Sequence, residues 1–329
     1  MAGNTATRTY TIKKRKIPKV GEIVSYTPDT PSTGYDLSTA KSGASSAQTI
    51  DGTYDPTTWK IMEVDENGNI TKLFGVPNSS QSKVGFREST GYNNGVYLLN
   101  DICKTRYGNA SLGATARSLN IEDIESRMNA TGIAARNAYK NGTVQYGTTK
   151  KCTRGYTKYP AIYAQEKYSG INVSDVADGT QVITGSVNAT AQAKMNLNGK
   201  TQSEDVYTAA TTDTSKTDAT SLTCTQTYYR FESTPSSYFD DTNFHSMIFG
   251  TRTSFWLASR SVACSSYDSD VIFGLRTVDY SGLFGNYLFN SGGGSIRLSN
   301  RLAPVVSLCS GIQVKRGSGT ESDKYIIGK

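Results

Sequence analysis

Apolar residues recur mostly at every second position in short runs separated by Gly, Ser, Thr and Asn, and two stretches shift to a three-to-four spacing. VGEIVSYTP (20–28) has strand composition and stops at a proline, and a Ser/Thr/Gly-rich loop follows through about residue 55. In TTWKIMEVDENGNITKLFG (57–75) two β-prone runs flank Asp65-Glu66-Asn67-Gly68-Asn69, whose Asn-Gly step favours positive φ, so the pattern predicts a hairpin. The same acidic turn is not a calcium loop, because Ile70 stands where such loops need glycine. GYNNGVYLLNDICKTRYG (91–108) places Val96, Leu99, Ile102 and Cys103 at helical spacing, with an asparagine pair to cap its start. A second helix is expected from Asn120 to about residue 128. Asn120 and Asp123 are placed to exchange capping bonds, and Ile121, Ile124 and Met128 form an apolar stripe.

From about 130 to 225 the periodicity fades into aromatic patches such as YPAIYAQEKYSG and the polar tract TAATTDTSKTDATSLTCTQT, a composition that predicts a long polar insertion. The last third returns to strands. FWLASR, DVIFGLRTV, NYLFNS and APVVSL, separated by glycine, serine and asparagine, predict an antiparallel meander. In FWLASR, Phe255, Leu257 and Ser259 point one way and Trp256, Ala258 and Arg260 the other; both faces are apolar at the start, which predicts a central strand.

Composition narrows the class. With 329 residues, 36% hydrophobic positions, 31 glycines and 21 tyrosines, the chain suits a β-rich or mixed fold and excludes a coiled coil. No apolar window is long enough to span a bilayer, and the start carries charges without an apolar run behind them. The expectation is a product made in the cytoplasm without a signal peptide and carried on a virion or a surface. Cys103, Cys152, Cys224, Cys264 and Cys309 contain no CxxC pair, which argues against a disulfide framework and a zinc site. The net charge of +7 comes from 35 basic and 28 acidic residues spread along the chain. One concentrated cluster, TIKKRKIPK (11–19), reads as part of a basic arm for an acidic partner rather than a specific nucleic-acid reader.

Catalytic chemistry finds little to work with. His245 is the sole histidine, no serine or cysteine sits in a GxSxG context, and the neighbouring Asp240-Asp241 pair reads as solvated. SGGGS (291–295) lacks the lysine and helix of a phosphate loop. No cofactor, metal or enzymatic activity is expected.

The phrases GYNNGVYLLNDIC, ATARSLNIEDIE, FWLASR, FGLR (273–276), LFNSG (288–292) and APVVSL (303–308) together resemble the C-type-lectin-fold variable proteins of diversity-generating retroelements. That group is related to formylglycine-generating-type proteins, and the similarity extends to uncharacterised bacterial and phage proteins. It covers most of residues 17–314, with one departure: Ala303 occupies a position usually given to arginine, and Arg301 lies two residues earlier. The resemblance implies an α+β, C-type-lectin-like fold of antiparallel sheets with two short helices and a long polar insertion. Its expected organisation is a basic N-terminal arm (1–16), a lectin-like domain (17–314) interrupted by the insertion (130–225), and a C-terminal tail (315–329). The EPN, QPD and WND phrases of calcium-dependent sugar binding are missing, as is the cysteine pair of formylglycine-generating enzymes.

In such proteins, framework phrases hold exchangeable residues between them, and the resemblance implies a ligand-binding surface on those positions. Before and within the second strand they are Tyr267, Asp268, Asp270, Thr277, Asp279 and Tyr280. Leu283, Phe284, Asn286, Tyr287 and Asn290 follow, and then Ser295, Arg297, Ser299 and Asn300. Independently, tyrosine supplies rigid contact area while Ser, Gly and Asn supply adaptable hydrogen bonds, which is the composition of paratopes. The expected function is therefore a non-enzymatic receptor-binding or virion-decorating protein; the alternative is a purely structural component of a phage particle. The expected partners are a protein or glycan ligand on a cell surface, other virion subunits and further copies of the chain, with neither specific nucleic acid nor membrane insertion.

Overall fold

The computed structural model describes residues 17–30, 33–37, 46–152, 222–265, 270–292 and 294–329. The expected basic arm at 1–16 lies outside them, as does most of the expected insertion. The fold is mixed α+β, mostly sheet with few helices.

In chain order the first strands are β1 (Ile23–Ser25), β2 (Tyr35–Leu37), β3 (Gln48–Ile50), β4 (Thr58–Val64), β5 (Ile70–Val76) and β6 (Val84–Arg87). Helix α1 (Glu88–Tyr107), strand β7 (Thr115–Ser118), and helices α2 (Ile121–Glu125) and α3 (Ala130–Ala138) follow. Next come β8 (Lys140–Asn141), β9 (Val144–Gln145), β10 (Thr149–Cys152), β11 (Leu222–Thr225), β12 (Phe231–Glu232) and helix α4 (Thr242–Phe249). The chain ends with β13 (Phe255–Cys264), β14 (Val271–Asp279), β15 (Gly282–Asn290), β16 (Arg297–Asn300), β17 (Pro304–Ser307), β18 (Gln313–Arg316) and β19 (Tyr325–Gly328).

Two expected elements form for the chemical reasons the sequence offers. The β4–β5 turn is closed by Asp65, whose Oδ1 accepts from the Asn67 and Asn69 amides at 2.9 and 2.7 Å, while Gly68 takes φ +74°. At α2, Asn120 and Asp123 form a reciprocal capping box, and Arg117 adds a bidentate pair to Asp123 at 2.6 Å. That helix ends at Glu125, earlier than expected, yet Met128 still joins Ile121 and Ile124 in the core. Helix α1 is not short: it spans 20 residues and starts at Arg87–Glu88, directly from β6, with no side-chain cap. Helices α3 and α4 add two elements that the two-helix expectation lacked. Asn129 caps α3 through the Thr131 and Gly132 amides, and Asp241 caps α4 through those of Asn243 and Phe244.

Seven strands form one sheet in the order β18-β19-β1-β4-β5-β17-β7, and a four-stranded sheet runs β12-β15-β14-β13. Three expectations change here. APVVSL does not extend the meander: as β17 it pairs antiparallel with β5 and β7 in the larger sheet. The segment after residue 314 is not a tail, because β19 pairs parallel with β1 and antiparallel with β18. FWLASR, within β13, is the terminal strand of its sheet, not a central one. Loops cover its free edge: Ala258 N–H donates to Leu119 O, and Val262 O accepts from the Thr227 and Tyr228 amides. Across the expected insertion, β10 and β11 pair antiparallel and close its base.

Strand β13 separates two hydrophobic cores. Trp256, Ala258, Val262 and Cys264 join the core around α1, while Phe255 and Leu257 join the one built from α2, α4 and Tyr229. In the first, Phe273 stacks on Phe289 at 4.5 Å, Tyr92 of α1 meets both rings edge-on, and Trp256 Nε1 donates to Val84 O at 2.8 Å. Each such buried ring contributes about 1.5–3 kcal/mol. Gly95 lets α1 settle on β14, since a Cβ there would penetrate the Leu275 side chain. Among the described residues, no helix is long and apolar enough to cross a membrane.

Candidate binding surface

The register of β13, β14 and β15 sorts their side chains onto two faces. Phe273, Leu275, Leu288 and Phe289 belong to the α1 core, and the pairings Thr277↔Phe284 and Leu275↔Asn286 put Thr277, Phe284 and Asn286 on that same side. On the other face, Ser261 pairs with Gly274, Gly274 with Tyr287, and Arg276 with Gly285.

The expected contact residues therefore do not form one outward patch. Thr277 is buried at 1% exposure, Leu283 sits in the second core, and Asn300 is buried opposite Val84. Phe284 is covered on one side by the Arg230 guanidinium, 4.5 Å from its ring centre. Asp279 holds the β14–β15 turn, its Oδ1 accepting from the Ser281 and Gly282 amides at 2.7 and 3.1 Å. Tyr280, 75% exposed, projects from that turn. Ser295, Arg297 and Ser299 are exposed; the last two lie on β16, which pairs with β6. Tyr267 and Asp268 lie outside the described residues.

At the end of the sheet away from Tyr280, a subset does converge. Tyr287, Asn290 and Asp270 surround the glycine turn after β15. A Cβ on Gly294 would come within 2.6 Å of Tyr287 Oη, and one on Gly292 within 2.7 Å of Asp270 Oδ1. Asn290 exchanges backbone and side-chain bonds with Gly294, both at 2.9 Å. Burial, with the charge of Asp270 added, raises the Tyr287 pKa, so its hydroxyl stays protonated and able to donate.

Beside this cluster lies a groove of about 170 Å³, floored by Ser261, Ala263, Gly274 and Gly285 and flanked by Tyr228, Tyr287 and Asn141. Gly285 lets the Tyr228 ring lie on the strand, since a Cβ there would stand 2.8 Å from Tyr228 Cδ2. Tyr139 supports Tyr228 edge-on at 5.7 Å. Sequence reasoning missed Tyr228, Asn141 and the small-residue floor. The signal for the floor was small residues at matching positions of three strands, which becomes readable once the register is known.

A second concavity of about 340 Å³ runs along the outer edge of β13, lined by Ser259, Arg260, Arg276, Glu122, Glu125 and Tyr146 among others. Glu125 is engaged by the Tyr229 hydroxyl at 2.7 Å and by Arg136 at 2.9 Å. Burial, followed by the charge of Glu125, raises the Tyr146 pKa.

His245 packs against aromatic rings. Its Nε2 lies 2.9 Å from Thr234 O and its ring lies against Phe239 and Phe249, at 5.4 and 5.2 Å between centres. Asp241 is occupied as a helix cap. The described residues contain no group of three or more His, Cys, Asp or Glu side chains placed to hold a metal ion. No protein-family model, curated protein or solved structure matches the chain.

Proposed function

We propose that this chain is a non-enzymatic binding protein that captures a glycan at the Tyr228–Tyr287 groove. The observation that carries the reading is a floor of small residues between two tyrosine rings, with Asp270 and Asn290 at the adjoining turn. A groove of about 170 Å³ suits one ring rather than an extended ligand. Tyrosine faces offer an apolar platform, and the hydroxyl, carboxylate and amide offer the mixed donors and acceptors that sugar hydroxyls require. The strands beneath are fixed by the stacked core, which keeps the ordering cost of binding low. The C-type-lectin-like fold, the retroelement-type variable surface and a virion-borne or surface-associated setting belong to this same proposal, supported by the sequence phrases.

The test is to probe a glycan array and intact bacterial surfaces with the full chain and two variants. Tyr287→Ala is expected to lose binding by at least about ten-fold, in the range of a central aromatic contact. Tyr280→Ala, at the opposite end of the ribbon, is expected to keep it. Retention that survives Tyr287→Ala, or binding to proteins alone, sinks the glycan reading. Association solely with other particle subunits would favour the structural alternative.

A further inference from the structure

We infer that the cleft along the β13 edge is a receptor for a small oxyanion, a carboxylate or phosphate group on a compact ligand, centred on Arg276. This site is separate from the groove proposed above.

Arg276 is an anomaly of charge. It is 3% exposed, yet no carboxylate among the described residues stands within ion-pair distance of it. Its Nε donates to Arg260 O at 3.2 Å, its Nη2 donates to Thr227 O, and its guanidinium lies 4.9 Å from the Tyr229 ring centre. Nη1 is buried without a hydrogen-bond partner. A guanidinium carries five N–H donors and no acceptor, so the donors at Nη1 can be satisfied by an acceptor alone. Burying a cation without a counter-charge is strongly unfavourable, and an arriving anion relieves that cost where no protein carboxylate does. Glu125, which also lines the cleft, is directed to the Tyr229 hydroxyl and to Arg136, and forms no ion pair with Arg276.

The rest of the lining fits the same ligand. Ser259 Oγ accepts the Ile121 amide at 2.9 Å and Thr227 Oγ1 accepts the Val262 amide at 2.9 Å, which leaves each hydroxyl its own proton to donate. Arg260 also lines the cleft, its Nε donating to Tyr92 O at 3.1 Å and its guanidinium 5.5 Å from the Tyr92 ring centre. Glu122 is exposed at the first turn of α2 and lines the same cleft, opposing any ligand of high negative charge and so favouring a single small anionic group over a polyanion.

The experiment is calorimetric titration of the full-length chain with sodium phosphate, sodium acetate and sodium chloride at fixed ionic strength. Saturable binding of phosphate or acetate is expected, with none for chloride; the tighter of the two identifies the ligand group as phosphoryl or carboxylate. Arg276→Gln should weaken it by about ten-fold or more, as expected for losing a charged hydrogen-bonding partner. Should that buried substitution prevent folding, Glu122→Gln, on the surface, keeps the test intact: removing its charge should tighten binding about two- to five-fold. The inference is overturned if neither oxyanion saturates the wild-type chain, or if affinity is unchanged in Glu122→Gln and in whatever Arg276→Gln protein folds.

Discussion

The two faces of the β13–β15 sheet are made by the same strands and end in opposite states. Toward α1 the sheet presents Phe273, Phe289 and Trp256, sealed beneath a 20-residue helix. Away from it, Phe255, Leu257, Val278 and Leu283 pack into the second core at one end, but at the other the positions are Ser261, Ala263, Gly274 and Gly285, and the surface stays concave. Alternation gives a strand two independent faces. The face that must exclude water is filled to crystal-like density; the other holds its shape on borrowed rigidity, and so can stay hollow.

The sharpest way to break this contrast is to truncate each face in turn. Phe273→Ala should cost about 3–5 kcal/mol, because it removes a stacked ring from a site with no room to relax, whereas Ile272→Ala, its half-buried neighbour facing the groove, should cost about 1 kcal/mol. Chemical denaturation of both variants checks the ratio; equal costs would mean that the groove is as tightly packed as the core.

The smallest effect lies off both faces, at Glu63 on β4. Burial alone would raise its pKa, but the hydrogen bond and charge of Lys72, with Thr71 and Arg127, hold its carboxyl below the ordinary glutamate value. A depressed carboxylate stabilises the native state above its unfolded pKa of about 4.3, and that contribution disappears as pH falls through the lower native value. Glu63→Gln should therefore cost about 0.5 kcal/mol at neutral pH, discounted for its partial exposure, and the difference from wild type should vanish in acid. Melting curves between pH 7 and pH 3 follow this directly; a gap that persists at pH 3 would remove the ionic explanation.

Much of the fold was legible where a local signal sufficed. The Asp65–Gly68 turn and the Asn120–Asp123 capping box each specify backbone geometry within a few residues. Helix α4 carried the same kind of signal, with Asp241 as cap and Phe244, Met247 and Ile248 on one face, but the aromatic run around it obscured the spacing. The placement of β17 and the last two strands was not legible, because their partners β5, β7 and β1 are distant in sequence. The contact residues suffered most. A list drawn from consecutive positions crosses both faces of a strand, and register shifts between Trp256 and Arg260 and between Phe273 and Gly274 further change which side each residue meets. Asp270, Tyr287 and Asn290 converge at the glycine turn, while Thr277 and Leu283 are enclosed.

The parallel pairing of Val24 with Tyr325 also carries a temporal consequence. At ribosomal speeds of about 5–20 residues per second, strand β1 waits roughly fifteen seconds to a minute before its partner is synthesised. The larger sheet thus completes its order only after the residues between these two strands have been made, and loop closure over so long a separation makes that last pairing a slow step.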